Sequence, residues 1–401
     1  MAHSATSRFC GSFRCSFLSE QHVAKTKLFC TTDQFQHLLS SIQNDGYKLL
    51  GPTVRNEVIV CDEIQSAQDL PIGWVDEQDP GRYRLKRRSD QAYFGYNLGP
   101  HSWKKHLFPP REHLFSTHKQ DNGMIVFKET TPPIKKMAFI GVRACEMQAI
   151  LIQDKVFNHQ MAVYQQYQQR RENLFLVAVH CTQTVNTCFC ASMGTGPEVK
   201  EGYDLALTEV IHEKDHYFIV DIGSSKGKAL CDQLALPPAD QTKCQSAHHL
   251  VEKIKKEMVR QVDNEHVHKM LLQSWNCKRW DQVAERCLNC TNCTMVCPTC
   301  FCSDITDRVS LDKSHVDRWQ NWDSCFNLSH SYVHGGSIRQ SAKSRYRQWL
   351  THKFGTWRDQ FGTSGCVGCG RCITWCPVGI DVTEELQELK TESDVNNSRT
   401  S

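Results

Sequence analysis

The sequence lacks the long apolar runs and the strong net charge that would direct a chain to a membrane or to nucleic acid. Its longest apolar stretches are short strand-like segments, such as LFLVAVH at residues 174–180, whereas a membrane-spanning helix needs about 18 consecutive apolar residues. The formal net charge is only +3 over 401 residues, so no global attraction to nucleic acid or membranes is expected. We therefore predict a soluble protein with no membrane span and no nucleic-acid partner.

Glycine loops are present, but without the complete pattern of a phosphate-binding site. The loops SMGTGP at residues 192–197 and GSSKG at residues 223–227 are interpreted as turns, and no nucleotide site is predicted. No catalytic residue is predicted either.

The length of 401 residues favours more than one domain, because single hydrophobic cores stop growing below this size.

Cysteine, by contrast, is unusually frequent, with 22 residues. A cytoplasmic chain of this size is kept reduced and has no need of a disulfide scaffold. Clustered cysteines in such a compartment usually bind a metal or take part in redox chemistry. The composition therefore predicts a cytoplasmic, metal-binding protein.

Two cysteine runs share one spacing, C-x2-C-x2-C-x3-C-P. The first run lies within RCLNCTNCTMVCPTCFC at residues 286–302, and the second lies within GCVGCGRCITWCP at residues 365–377. A zinc site takes two ligands from each of two separated turns, so four thiols within eleven residues fit zinc poorly. They fit [4Fe–4S] clusters well, because closely wound thiolates can hold several corners of one cluster.

In two-cluster ferredoxins the fourth cysteine of each run binds the other cluster, so a crossed assignment is predicted. One [4Fe–4S] cluster is expected to be bound by Cys287, Cys290, Cys293 and Cys376. The other is expected to be bound by Cys366, Cys369, Cys372 and Cys297. Two [4Fe–4S] clusters are therefore the predicted cofactors.

A further group of cysteines follows two predicted strands in the first part of the chain. The strand MAFIGV at residues 137–142 precedes one cysteine, and LFLVAVH precedes three more, two of them in TCFC at residues 187–190. If the two strands are parallel neighbours, both loops open at the edge of the sheet where α/β proteins usually bind ligands. The four cysteines are then a third [4Fe–4S] site, with buried, inert cysteines as the alternative. They are Cys145, Cys181, Cys188 and Cys190.

The apolar patterns divide the chain into four parts. Residues 28–275 contain a helix at 32–45 capped by Thr32, alternating short strands and helices, and a helix at 246–275, which is typical of an α/β domain. Residues 276–387 show no clear strand and predict an all-α, helical two-cluster ferredoxin-type domain. Residues 1–27 are expected to be a disordered extension, an organelle-targeting segment or the product of an early start codon. Residues 388–401 are expected to be a polar, frayed tail.

Two other features of the C-terminal part carry weaker indications. The cysteines Cys300, Cys302 and Cys325 receive no assignment. Between Asp323 and Asp359 there is no carboxylate, and this segment is interpreted as supplying positive charge near the clusters. A nucleic-acid patch and a solvated basic face are the alternatives. The basic residues in the segment are Arg339, Lys343, Arg345, Arg347, Lys353 and Arg358.

The cysteine runs, together with GVRAC at residues 141–145, TCFCASMGTGPE at 187–198 and RYRQWLTHKFGTW at 345–357, resemble the beta subunit of cytoplasmic nickel–iron hydrogenases of the sulfhydrogenase type. The chain is also similar to the electron-transfer subunit of anaerobic sulfite reductase. The resemblance runs from about Leu28 to Leu386. It implies an electron-transfer subunit between an NAD(P)H-linked flavin subunit and a nickel–iron catalytic subunit. The chain itself offers neither paired C-x2-C motifs for nickel and iron at its two ends nor a flavin fingerprint.

Other functions stay open at this point. A relay in an anaerobic sulfite reductase has the same chemistry with a different terminal substrate. A zinc-binding scaffold or a nucleic-acid module belongs to a different class, and a colourless, zinc-containing protein would indicate it. Whether the chain is an enzyme by itself is left open, because no catalytic site is evident.

Overall fold

The computed structural model describes residues 27–129, 135–159, 162–212 and 215–400. The strands are β1 Leu28–Thr31, β2 Lys48–Arg55, β3 Val58–Glu63, β4 Trp74–Asp79, β5 Arg82–Arg87, β6 Arg111–Lys119, β7 Ile125–Glu129, β8 Met137–Arg143, β9 Asn158–His159, β10 Ala162–Val163, β11 Leu174–Val179, β12 Leu205–His212, β13 Asp215–Ile222, β14 Ser303–Val309, β15 His315–Trp322, β16 Tyr332–Val333 and β17 Gly336–Ser337. The helices are α1 Thr32–Asn44, α2 Lys104–Leu107, α3 Ala144–Phe157, α4 Gln165–Glu172, α5 Cys190–Met193, α6 Ser225–Gln233, α7 Gln241–Glu257, α8 Val267–Gln273, α9 Arg279–Arg286, α10 Asn292–Met295, α11 Ala342–Thr351, α12 Trp357–Phe361, α13 Arg371–Thr374 and α14 Val382–Thr400. Of the extension expected at residues 1–27, all but Lys27 lies outside the described residues.

A seven-stranded mixed sheet forms the centre of the N-terminal region, in the order β1-β13-β12-β11-β8-β2-β3. Strands β2, β8, β11 and β12 are parallel to one another, and the remaining pairings are antiparallel. Strand β11 is buried along its whole length and β8 along nearly all of it, as expected for strands covered on both faces. The sheet-rich N-terminal region predicted from the sequence is confirmed.

Helix α1 confirms the predicted amphipathic helix, although its N-cap lies one residue earlier than expected. The Thr31 hydroxyl accepts a hydrogen bond from the backbone N of Gln34 at 3.2 Å, and the backbone N of Thr31 donates to Gln34 Oε1 at 2.9 Å. Thr32, the predicted cap, is the first residue of the helix. This reciprocal capping box satisfies two backbone donors at the start of the helix. The buried face carries Phe35, Leu38, Leu39 and Ile42.

The expectation of an all-α C-terminal domain is wrong in one respect, because four strands lie within it, the antiparallel pairs β14–β15 and β16–β17. Strand β15 also pairs with β6, giving a sheet in the order β14-β15-β6-β7. The segments SDITDRV and HVDRWQNW lack the apolar alternation in sequence that identifies a half-buried strand. In the structure, accordingly, neither strand has a fully buried residue. The sheet joins residues 111–129 to residues 303–322, across the boundary expected near residue 275.

The rest of the C-terminal region is mainly helical, as predicted. The helix expected at residues 246–275 is divided into α7 and α8. The tail expected to fray from residue 388 instead continues α14 to Thr400, and its Leu389 is fully buried. Within the described ranges, no helix is long and apolar enough to cross a membrane.

The second cysteine run packs directly on the loop after β11, with backbone against backbone. Phe189 N donates to the Gly368 carbonyl at 2.9 Å, and the Thr187 and Thr374 hydroxyls are 2.9 Å apart. Gly368 and Gly370 have φ angles of +63° and +73°, which glycine adopts without steric cost. A Cβ on Gly370 would lie 2.2 Å from the Thr187 carbonyl oxygen. Glycine is therefore required for this contact.

We expect Gly370→Ala to destabilise the protein more than Gly362→Ala does. Both positions have a left-handed φ, which costs an alanine roughly 1–2 kcal/mol, but only Gly370 has backbone in the way, whereas nothing lies within 4 Å of a Cβ on Gly362. The clash adds about 1–3 kcal/mol. Urea unfolding midpoints of the two variants test this, and equal midpoints would show that the contact at Gly370 yields easily.

Candidate iron–sulfur centres

The first cysteine run surrounds a cavity that it shares with Cys372 and Cys376 of the second run. Burial raises the pKa of the Cys293 thiol well above its ordinary value, and Cys287 and Cys376 raise it further because their sulfur atoms lie close by. Three aromatic side chains, Phe326, Tyr346 and Trp349, line the same cavity. Five cysteines line this cavity: Cys287, Cys290, Cys293, Cys372 and Cys376. The first group is defined as the four of them that the crossed assignment predicts as ligands, Cys287, Cys290, Cys293 and Cys376.

The tight winding of the first run depends on two non-glycine residues in the left-handed region. Asn289 has φ 53° and Thr291 has φ 68°, a conformation that is uncommon outside glycine. These turns reverse the chain around Cys290, so that the thiols on either side reach one cavity. At the opposite wall, the backbone N of Ile380 donates to Cys376 Sγ at 3.3 Å, a contact that stabilises a thiolate.

Cys297, the fourth cysteine of the first run, lies with three cysteines of the second run. Burial raises the pKa of Cys372, and nearby Cys366, Cys369 and Cys297 raise it further. The backbone N of Gly368 donates to Cys366 Sγ at 3.4 Å. This second group thus gathers the thiols that the crossed assignment requires, and ligation itself stays a prediction. Its members are Cys297, Cys366, Cys369 and Cys372.

The four cysteines predicted for a third site line one cavity at the carboxyl edge of the sheet. Strands β8 and β11 are parallel neighbours, as the prediction required, so the loops that follow them open on the same side. Arg371 and Cys369 of the second run also line this cavity. Burial raises the pKa of Cys188 to about 12. This third group consists of Cys145, Cys181, Cys188 and Cys190.

Polar atoms beside these cavities fit an iron–sulfur cluster. In the part of the chain that the structure describes, Tyr346 Oη and Trp349 Nε1 at the first cavity and Arg143 Nε at the third are buried without a hydrogen-bond partner. Buried donors nearly always have a partner, and cluster sulfur atoms accept hydrogen bonds of this kind. The donors and thiols together therefore suit a cluster in both cavities.

A single metal ion is a different case. Among the described residues, no group of three or more His, Cys, Asp or Glu side chains could hold a metal ion. A four-iron cluster is larger than one ion, and each of its four thiolates binds a separate iron atom. The thiolates of a cluster therefore lie farther apart than the ligands of a single ion. The cavities lined by thiols are thus the relevant feature for a cluster.

Comparison with known proteins identifies the family. A 4Fe-4S dicluster domain matches residues 286–380, which contain both cysteine runs. Sulfhydrogenase 2 subunit beta of Pyrococcus furiosus is 30% identical over 291 residues, covering 72% of this chain and 82% of the relative. The chain belongs to the sulfhydrogenase beta-subunit family. The predicted relationship is confirmed, and no solved structure matches the chain.

The beta subunit places a buried ion pair between the second and third groups, which sequence reasoning missed. Arg371 Nη2 donates to Glu146 Oε1 at 2.7 Å, and both side chains are buried. Burial alone would lower the pKa of Arg371, but Glu146 and Cys369 outweigh it and the net shift is upward. Arg371 lies inside the second run, and only its position between cysteines could have drawn attention to it.

Two buried lysines lie beside the second group. Lys353 Nζ donates to Cys297 Sγ at 3.6 Å and to Thr299 Oγ1 at 2.9 Å. Lys104 Nζ donates to the Cys300 carbonyl at 3.1 Å. Burial lowers the pKa of Lys104 to about 8, whereas for Lys353 the nearby Cys297 and Cys300 thiols outweigh burial and raise it. Positive charge is therefore concentrated at this group.

The basic residues between Asp323 and Asp359 have different roles. Of the six, Lys353 contacts the second group and Arg345 lies near Cys287 of the first. Three others are engaged elsewhere: Lys343 pairs with Asp281, Arg347 stacks on Trp275 and Arg358 donates to Asn264. The backbone carbonyl of Arg339 accepts a hydrogen bond from Arg345. Of the basic residues predicted to supply positive charge near the clusters, Lys353 and Arg345 are the two that lie beside a cysteine group.

We expect Lys353→Met to lower the reduction potential of the nearest cluster. Losing one positive charge at roughly 5 Å removes about 3.3 kcal/mol at an effective dielectric constant of 20, or about 140 mV for one electron. Redox titration followed by electron paramagnetic resonance measures the shift. The control is Lys343→Met, a partly exposed lysine paired with Asp281. Equal shifts in both variants would contradict a local effect of Lys353.

Proposed function

We propose that this beta subunit relays electrons between an NAD(P)H-linked flavin subunit and a nickel–iron subunit that reduces protons or sulfur. The observation that carries the proposal is the exchange of fourth cysteines, with Cys376 in the first group and Cys297 in the second. This exchange draws the two groups together. Cys297 of the second group also lies near enough to Cys293 of the first to raise the pKa of its thiol. A [4Fe–4S] cluster, when bound, accepts and releases single electrons.

We also propose that the third group holds a third cluster and extends the relay. Cys369 belongs to the second group and lines the third cavity. It lies close enough to Cys145 and Cys190 to raise the pKa of each thiol, after the larger effect of burial. The three groups are therefore linked in the order third, second, first.

The first group offers a contact surface for a redox partner. Cys290 is exposed, and Leu288 and Val378 beside it are 61% and 39% exposed. Both apolar residues line the first cavity. A partner that covered them would exclude water and bring its own redox centre close to the first group. We propose this surface as one end of the relay.

The compartment and the terminal enzyme belong to the same proposal. The described cysteines are all free, which suits the reducing cytoplasm. A relay in an anaerobic sulfite reductase would use the same residues, and the sulfhydrogenase relative favours the hydrogenase. Purification with native partners separates the two, since a nickel–iron protein in the complex indicates a hydrogenase, whereas a sirohaem protein indicates a sulfite reductase.

Crossed ligation predicts non-additive loss of iron. Cys376→Ser should lose about four irons, and Cys287→Ser/Cys376→Ser should lose no more, because both cysteines serve one cluster. Cys366→Ser/Cys376→Ser should lose about eight, because two clusters are affected. Iron analysis of anaerobically purified protein measures these values. Local ligation would give the opposite result, with about eight irons lost from Cys287→Ser/Cys376→Ser and about four from Cys366→Ser/Cys376→Ser.

The third cluster predicts iron beyond that of the two runs. Cys181→Ser in the full chain should lower the iron content by about four per chain, because a cluster that loses one of four thiolates is poorly held. Cys244→Ser is the control, since Cys244 lies on α7 outside all three groups. Equal iron in both variants would identify the third group as packing cysteines.

A further inference from the structure

The cysteines that received no assignment include a pair at the end of the β14–β15 hairpin. Cys302 immediately precedes β14, and the backbone N of Asp323, just after β15, donates to the Cys302 carbonyl at 2.8 Å. The chain then turns back, which places Cys325 close enough to Cys302 for each thiol to shift the pKa of the other. Two neighbouring thiols, from positions 302 and 325, are placed to form one disulfide.

A histidine and a carboxylate complete the arrangement. His330 Nδ1 is bonded to Asp323 Oδ2, and Asn327 Nδ2 donates to the other oxygen of the same carboxylate. The imidazole also lies close enough to the Cys302 thiol for the thiol to raise the pKa of His330. With Nδ1 engaged by Asp323, the second ring nitrogen is the one available to the thiol. A thiol, a base and a group that orients the base are the parts of an activated nucleophile.

The charges around the pair favour a thiolate at one of its two cysteines. The neighbouring Cys325 and His330 hold the pKa of Cys302 far below its usual value, although burial opposes the shift. Cys302, as a partner in turn, raises the pKa of His330 to about 9. Both cysteines are half-buried and the His330 side chain is 26% exposed.

We propose that Cys302, Cys325 and His330 form a thiol–disulfide exchange site that takes a small disulfide as substrate. Cys302 is the nucleophile, Cys325 is the resolving cysteine, and His330 carries the proton. Asp323 is a positioning residue that orients His330. The site is additional to the proposed electron relay and does not depend on it.

The exchange balances in two steps. Cys302, having passed its proton to His330, attacks one sulfur of the substrate; a bond from Cys302 to that sulfur forms, the substrate S–S bond breaks, and the leaving thiolate takes the proton from His330. Cys325 then gives its proton to His330 and attacks the Cys302 sulfur. The disulfide between Cys302 and Cys325 forms, and the second thiolate leaves with that proton. Two electrons pass from the protein dithiol to the substrate, and excess small thiol reverses the reaction.

The test uses the full chain, purified anaerobically with its iron, and oxidised glutathione as the probe. Samples are quenched by alkylation and mapped by mass spectrometry. We expect Cys302 to react at least about 100-fold faster than Cys244, the gain typical of acid–base assistance, and the product to be the disulfide with Cys325. Cys325→Ser should trap glutathione on Cys302, and Cys302→Ser should abolish both products. His330→Asn should slow the reaction about 100-fold with unchanged iron content.

Each outcome decides the proposal. Reaction of Cys302 no faster than that of Cys244 in the unmodified chain overturns it, and this comparison needs no variant to fold. A metal lost on Cys302→Ser, with no disulfide formed in the unmodified chain, overturns it in favour of a metal site. Rapid exchange in a protein that binds no iron supports the exchange site while contradicting the proposed relay, so the two failures are distinguishable.

Discussion

The backbone contact between the second cysteine run and the loop at residues 187–190 is the constraint on which the arrangement of thiol groups depends. Gly368 and Gly370 let the run approach until Cys369 reaches the third cavity while Cys366 and Cys372 stay with Cys297. A side chain at either glycine would clash with backbone and push the run outward. The separation between the second and third groups is therefore set by residues that bind nothing.

The buried positive charges around these groups favour deprotonated thiols. Arg371 has a carboxylate partner in Glu146, whereas Lys353 and Lys104 have no carboxylate at ion-pair distance among the described residues. An ammonium ion without a counter-charge costs several kcal/mol when buried. Thiolates bound to iron would supply that negative charge, since metal binding deprotonates cysteine. Iron binding at the proposed second site would therefore stabilise the fold around Lys353.

Features encoded in short-range sequence patterns were predicted, whereas contacts between segments far apart in the sequence were missed. The eight cysteines of the two runs and the buried face of α1 follow from spacing alone, and the third group followed once two strands were taken as parallel neighbours. The pairing of β15 with β6 was missed because it joins polar segments about 200 residues apart. Arg371 was missed for the same reason, since its partner Glu146 is 225 residues away. Neither contact leaves a periodic signal.

Unequal surroundings distinguish the three thiol groups along the relay. The second group has two buried lysines beside it, the positive charge of Arg371 at the third is offset by Glu146, and the first is partly exposed to water. Positive neighbours make a cluster easier to reduce. In the proposed relay, an electron entering at either end would therefore be drawn towards the second group, and the direction in which it leaves would depend on the reduction potentials of the partners. For this reason no charge pattern within the chain would by itself set the direction of flow.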